Sequence, residues 1–142
     1  MIQINFKKLN DLAIIPTKAH PTDAGLDIYS IEDITVIANR TTEIKTGIAS
    51  EILNQDSIYY FQIFGRSGLA KNYGVKILGG VIDESYRGEW IVLIEASCDF
   101  KINKGDKIAQ AVLFKLPDYI IGETPSLTET KRGNKGFGSS GY

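Results

Sequence analysis

Short apolar runs, broken every few residues by turn formers, set the rhythm of this chain. Residues 2–6 (IQINF), 25–30 (GLDIYS) and 34–37 (ITVI) are brief and rich in β-formers. Residues 43–52 and 58–64 are stronger strand candidates. In the second, Tyr59, Phe61 and Ile63 point one way, while Ile58, Tyr60 and Phe64 point the other with Gln62 among them. That predicts a strand buried on most of both faces. Residues 75–78 (VKIL) and 90–98 (WIVLIEASC) follow, and a turn over 99–107 leads into 108–116 (IAQAVLFKL). Turns at 53–56 and 104–106 punctuate the series. No stretch holds a long helical period, and one short helix is expected near residues 67–71. The pattern predicts an all-β, jelly-roll-like sandwich or barrel.

The chain has 142 residues, enough for one domain with a real core. Its 16 basic and 17 acidic side chains give a net charge of −1. That argues against bulk nucleic-acid capture but leaves room for a small, locally positive pocket. Cys98 is the only cysteine and His20 the only histidine. No intrachain disulfide, cysteine zinc cluster, His-based triad or multi-histidine metal site is therefore expected. Chemistry must come from carboxylates, water and a metal carried by the ligand. No apolar run reaches membrane-spanning length and the start lacks a signal-peptide pattern, so intracellular, by default cytoplasmic, residence is expected.

Five segments carry candidate chemistry. Residues 65–70 (GRSGLA) follow the strongest strand. Arg66 offers a planar donor fork, Ser67 a hydroxyl, and Gly68 an unobstructed backbone that can face an anion. A surface turn reads equally well from those residues alone. Residues 79–90 (GGVIDESYRGEW) form a hairpin-like loop. Gly79 and Gly80 bring main-chain donors and acceptors close to a ring. Asp83, just past Val81 and Ile82, is placed to orient water, and Tyr86 to lie against a sugar; a turn aspartate and a core tyrosine are the plain alternative. Residues 23–30 (DAGLDIYS) put Asp27 between Leu26 and Ile28, where a carboxylate needs a partner or solvent. Gln110 ends GDKIAQ, its amide suited to a phosphate oxygen or to a neighbouring strand. The tail, residues 132–142 (RGNKGFGSSGY), combines a cation, an aromatic, hydroxyls and glycines without apolar periodicity. It reads either as a frayed terminus or as an arm that orders over a nucleotide.

Taken in order, DAGLDIYS, GRSGLA, GGVIDESYRGEW, GDKIAQ and RGNKGFGSSG resemble the five motifs of the trimeric deoxyuridine triphosphate nucleotidohydrolases (dUTPases). Each motif alone is modest, but five in order across residues 23–141 are specific. The resemblance implies a jelly-roll-like β-domain over residues 1–131 and a flexible arm over 132–142. It implies a homotrimer with three sites at subunit interfaces, each closed by an arm from another subunit. Asp83 matches the carboxylate that activates water, and Tyr86 the aromatic that packs on deoxyribose. Gly80 and Val81 match the hairpin that reads uracil. Arg66, Ser67, Gly68 and Gln110 match phosphate-binding positions. Arg132 matches the phosphate-reaching arginine of the arm, Phe137 the aromatic that covers uracil, and Gly138, Ser139 and Ser140 its phosphate-facing end. Asp27 matches a carboxylate that helps hold the water shell of Mg2+, an ion borne mainly by the triphosphate.

The implied reaction is hydrolysis of dUTP to dUMP and pyrophosphate. Two positions depart from the family pattern: Gly65 replaces a usual proline and Ser140 a usual threonine. The nearest enzyme alternative resembles dCTP deaminase, which has a glutamate five residues after the glycine corresponding to Gly88. Leu93 stands there in this chain. An added regulatory role through a protein partner remains open from sequence.

Overall fold

The computed structural model describes residues 1–53 and 56–141. Asn54 and Gln55, the centre of the expected turn at 53–56, and Tyr142 at the end of the tail lie outside the described residues. The chain runs through β1 (Gln3–Lys8), β2 (Gly25–Tyr29), β3 (Ile34–Val36), β4 (Thr42–Lys45), β5 (Ile48–Leu53) and β6 (Ile58–Phe64). Helix α1 (Ser67–Tyr73) comes next, then β7 (Lys76–Leu78), β8 (Val81–Ile82), β9 (Ile91–Glu95), β10 (Phe100–Ile102) and β11 (Lys107–Leu116). The pairings are antiparallel throughout the described strands: β1 with β5, β3 with β10, β4–β9–β7, and a four-stranded sheet ordered β2-β11-β6-β8.

Alternation buries one face of each sheet in a common core. Trp90, Phe61, Ile28, Ile44, Ile48, Ile94 and Ile108 are its largest fully buried side chains. The Trp90 ring meets Phe61 edge-on at 5.1 Å and Phe6 at 5.5 Å. Burying each such side chain contributes roughly 1.5–3 kcal/mol.

Four expectations need correction. Residues 43–52 do not form one strand. The chain breaks between β4 and β5 at Gly47, whose φ of 66° is left-handed and cannot continue a ladder. Residues 99–107 are not simply a turn: Phe100 and Ile102 point inward around an outward Lys101, and the segment pairs with β3 as β10. The strand expected over 90–98 is shorter, β9 stopping at Glu95. β6 buries only one face within this chain. Phe61 and Ile63 are buried, while Ile58 and Phe64 on the other face are 51% and 42% exposed.

The expected short helix is present as α1. Gly74 ends it in the left-handed conformation (φ 63°), its N–H donating to the Ala70 carbonyl at 2.9 Å. Past Leu116, no helix or strand forms among the described residues. Ile120, Ile121, Leu127 and Phe137 stand exposed there. Among the described residues no helix is long and apolar enough to cross a membrane.

Candidate active site

The four-stranded sheet places the candidate residues at two ends. Asp27 sits in β2 at one edge. Its N–H donates to the Thr17 carbonyl at 2.8 Å, and across the ladder it opposes Gln110 of β11. Gln110 in turn opposes Phe64, the last residue of β6. The chain leaves β6 through Gly65 and Arg66 into α1. One open cleft of about 570 Å³ therefore gathers Asp27, Arg66, Ser67, Gly68, Lys107 and Gln110.

Charge organises this cleft. The Asp27 side chain is only 13% exposed. Its Oδ1 pairs with the Arg66 guanidinium and its Oδ2 with Lys107 Nζ at 2.7 Å. The sequence expectation that Asp27 needs a partner is met twice over. Donation of a hydrogen bond to the Asp27 carboxylate holds the Lys107 ammonium pKa above the ordinary lysine value. Gln110 Nε2 donates to the Gly65 carbonyl at 2.9 Å, so its amide ties down the turn that carries Arg66. Arg66 occupies the N-cap of α1 without a side-chain cap, which leaves the first-turn amides at Ser67 and Gly68 with no capping acceptor. A Cβ on Gly68 would meet nothing within 4 Å, so this wall of the cleft is open to an approaching anion.

At the opposite edge, β8 adds to β6 through Phe61–Ile82 and Gln62–Val81, and the Ile63 N–H donates to the Gly80 carbonyl at 2.8 Å. Gly79 and Gly80 both adopt positive φ, 64° and 99°, turning the main chain outward beside Val81. A cleft of about 230 Å³ is lined by Gly80, Val81, Asp83, Tyr86, Glu89 and Leu93. Asp83 is exposed and also borders a larger cleft of about 550 Å³ with Tyr59, Tyr60 and Glu84.

Within one chain the cationic cleft and the hairpin cleft share no lining residue. Arg132, Phe137, Gly138, Ser139 and Ser140 line neither. Phe137 is fully exposed and has a left-handed φ of 50° between Gly136 and Gly138.

A family model described as dUTPase matches residues 11–141, a span that contains all five chemical segments. This chain belongs to the dUTPase family. Among its relatives, a deoxyuridine 5'-triphosphate nucleotidohydrolase of Clostridioides difficile is 44% identical over 146 aligned positions that cover 100% of both chains. That of swinepox virus is 43% identical over 94% of each. The solved structure of Staphylococcus bacteriophage 80alpha dUTPase with dUPNHPP is similar at a TM-score of 0.86 and 25% identity, covering 99% of both chains. The all-β fold is thus a dUTPase fold.

Two residues of the cationic cleft escaped the reading of the sequence. Lys107 completes the cationic cleft, and Gly25 clears room for Gln110, since a Cβ there would lie 2.6 Å from Gln110 Oε1. The deaminase comparison also gains a location. Leu93 lines the hairpin cleft, while Glu95 is engaged by Lys76 at 4.0 Å on its paired strand. Among the described residues no group of three or more His, Cys, Asp or Glu side chains could cage a metal. The carboxylate of this cleft, Asp27, has its two oxygens engaged by Arg66 and Lys107.

Proposed function

We propose that this chain hydrolyses dUTP to dUMP and pyrophosphate, with Asp83 as the carboxylate that orients the attacking water. The observation that carries this reading is the family match across residues 11–141, together with the placement of Asp83 beside the glycine-opened hairpin. Asp83 accepts a proton as the water oxygen bonds to the α-phosphorus. The bond from that phosphorus to the bridging oxygen breaks, and pyrophosphate leaves with the electron pair. Arg66, Ser67, Gly68 and Gln110 bind the phosphates, with Arg66 turning from Asp27 toward the anion. Gly80 and Val81 read the uracil edge through the main chain, and Tyr86 forms the wall that disfavours a 2′-hydroxyl. Mg2+ bound with the triphosphate would be held through water by Asp27 and would offset charge on the leaving group.

The working unit in this proposal is a homotrimer of jelly-roll-like subunits. Two observations support it. The cationic and hairpin clefts lie apart in one chain, so a second copy is needed to face them toward each other. The outer face of the four-stranded sheet is also apolar, with exposed Ile58, Phe64, Val81 and Phe114 and a Tyr60–Phe114 stack at 5.7 Å. An exposed face of this kind fits a subunit interface. The arm, residues 132–142, then crosses to another subunit's site. There Arg132, Gly138, Ser139 and Ser140 approach the phosphates, and Phe137 covers the base.

The test is product analysis with dUTP, UTP and dCTP in the presence of magnesium, followed by subunit mixing. dUMP and pyrophosphate from dUTP, without dUTP formed from dCTP, is the expected result. Chains lacking 132–142 and full-length Asp83→Asn chains should each be nearly inactive, yet regain turnover when coassembled. Verified mixed trimers with no recovery would exclude donation of the arm between subunits.

A further inference from the structure

Gly88 lies two residues past Tyr86, at the exit of the hairpin. Unlike Gly79 and Gly80, it does not adopt a left-handed φ, so its main-chain conformation does not demand glycine. What demands it is space. A Cβ built on Gly88 would lie 2.5 Å from Tyr86 Cζ and 2.8 Å from Cε2, with the phenol oxygen also inside contact distance. Carbon atoms in contact ordinarily stand roughly 3.5–4.0 Å apart. The tyrosine ring therefore lies directly across the bare backbone of Gly88.

The ring has little else beneath it. Tyr86 is 44% exposed, and its hydroxyl is fixed at the tip by donation to the Glu89 carbonyl at 3.0 Å. The seat itself is anchored. Glu89 Oε1 accepts the Gly47 N–H at 2.8 Å, and the Trp90 N–H donates to the Ile48 carbonyl at 2.8 Å. A side chain at position 88 would meet an anchored main chain below and the outer end of a partly exposed side chain above, so the ring is the part that shifts.

We propose that Gly88 is a specificity-setting positioning residue, the notch that seats Tyr86 flat against the sugar and thereby selects deoxyribose over ribose. This rests on the reading of Tyr86 as the sugar wall. Filling the notch tilts the ring away and opens room for a 2′-hydroxyl.

The experiment compares kcat/KM for dUTP and UTP in the wild type, Gly88→Ala, Tyr86→Ala, and the double variant Gly88→Ala/Tyr86→Ala, with Tm and oligomeric state measured for each. Gly88→Ala is expected to fold and to lower the dUTP-to-UTP ratio of kcat/KM at least tenfold. The double variant should match Tyr86→Ala alone, because a methyl group has nothing to displace once the ring is gone. If Gly88→Ala fails to fold, recovery of folding in the double variant supports the contact, and failure of both overturns it. An unchanged ratio in Tyr86→Ala removes the sugar wall and this proposal together. A lowered ratio in Tyr86→Ala with an unchanged ratio in Gly88→Ala, or full additivity in the double variant, overturns the role of Gly88 alone.

Discussion

Asp27 holds two cations, so in the proposed reading phosphate binding there is an exchange of partners. Its single carboxylate offsets part of the positive charge of Arg66 and Lys107. Asp27→Ala should lower unfolding free energy by roughly 1.5–3 kcal/mol in urea titration, the range for hydrogen bonds to charged groups. For Lys107 the folded-state pKa is raised, so its contribution is fully present below the unfolded value of about 10.4 and fades only as pH climbs through the folded one. The Lys107 contribution should be flat across neutral pH and fall in strong alkali. At the reacting centre, Asp83→Asn should cost roughly 10²–10⁴ in kcat with KM for dUTP changed little, since a general base acts in the transition state. Gly65 has no left-handed φ, and a Cβ there would make only an ordinary 3.8 Å contact with Ile77. Gly65→Ala should therefore stabilise the fold by about 0.4–1 kcal/mol through the unfolded chain, seen as a higher Tm. Asp27 and Arg66 could be read from the sequence because a flanked carboxylate needs a partner. Lys107 could not: a register shift between Lys107 and Ala109 breaks the alternation by which a face is assigned.

The elements around the hairpin show where periodicity carries a reading and where it fails. β6 and β11 were visible because long apolar alternation leaves few alternatives. The break between β4 and β5 was not, because Gly47 sits inside an otherwise continuous β-rich run and its φ is set by tertiary packing. A Cβ there would lie 3.0 Å from Ala13 Cβ. β10, three residues long, was hidden in a segment rich in Asp, Lys, Asn and Gly. The break has a use. It brings Thr46 under the hairpin, where its buried hydroxyl donates to the Trp90 carbonyl at 2.5 Å. Thr46→Val keeps the shape and removes the donor. It should cost about 1–3 kcal/mol in denaturant unfolding, the penalty for stranding a buried acceptor.

In the proposed trimer, the separation of the two clefts makes catalysis a property of the assembly. An aspartate placed in the apolar face should expose this directly. Phe114→Asp is expected to give a folded monomer, with wild-type circular dichroism and turnover reduced at least a hundredfold. Size-exclusion chromatography and dUTP assays read the two outcomes together. A fully active trimer from that variant would place the interface elsewhere. For residues 132–142 the sequence suggests a chemistry but no position, because the glycines and polar residues there bury no apolar face that would fix a path.

Trp90 is the only tryptophan, fully buried against Phe6 and Phe61 and directly following Glu89 at the base of the hairpin. Its indole N–H has no hydrogen-bond partner among the described residues, so the chromophore sits in an apolar setting. The entire indole emission of the protein therefore comes from one spot at the base of the hairpin. Fluorescence becomes a local gauge: a blue-shifted band that moves to longer wavelength on unfolding, and changes with a ligand only if that ligand disturbs the base of the hairpin rather than the arm alone.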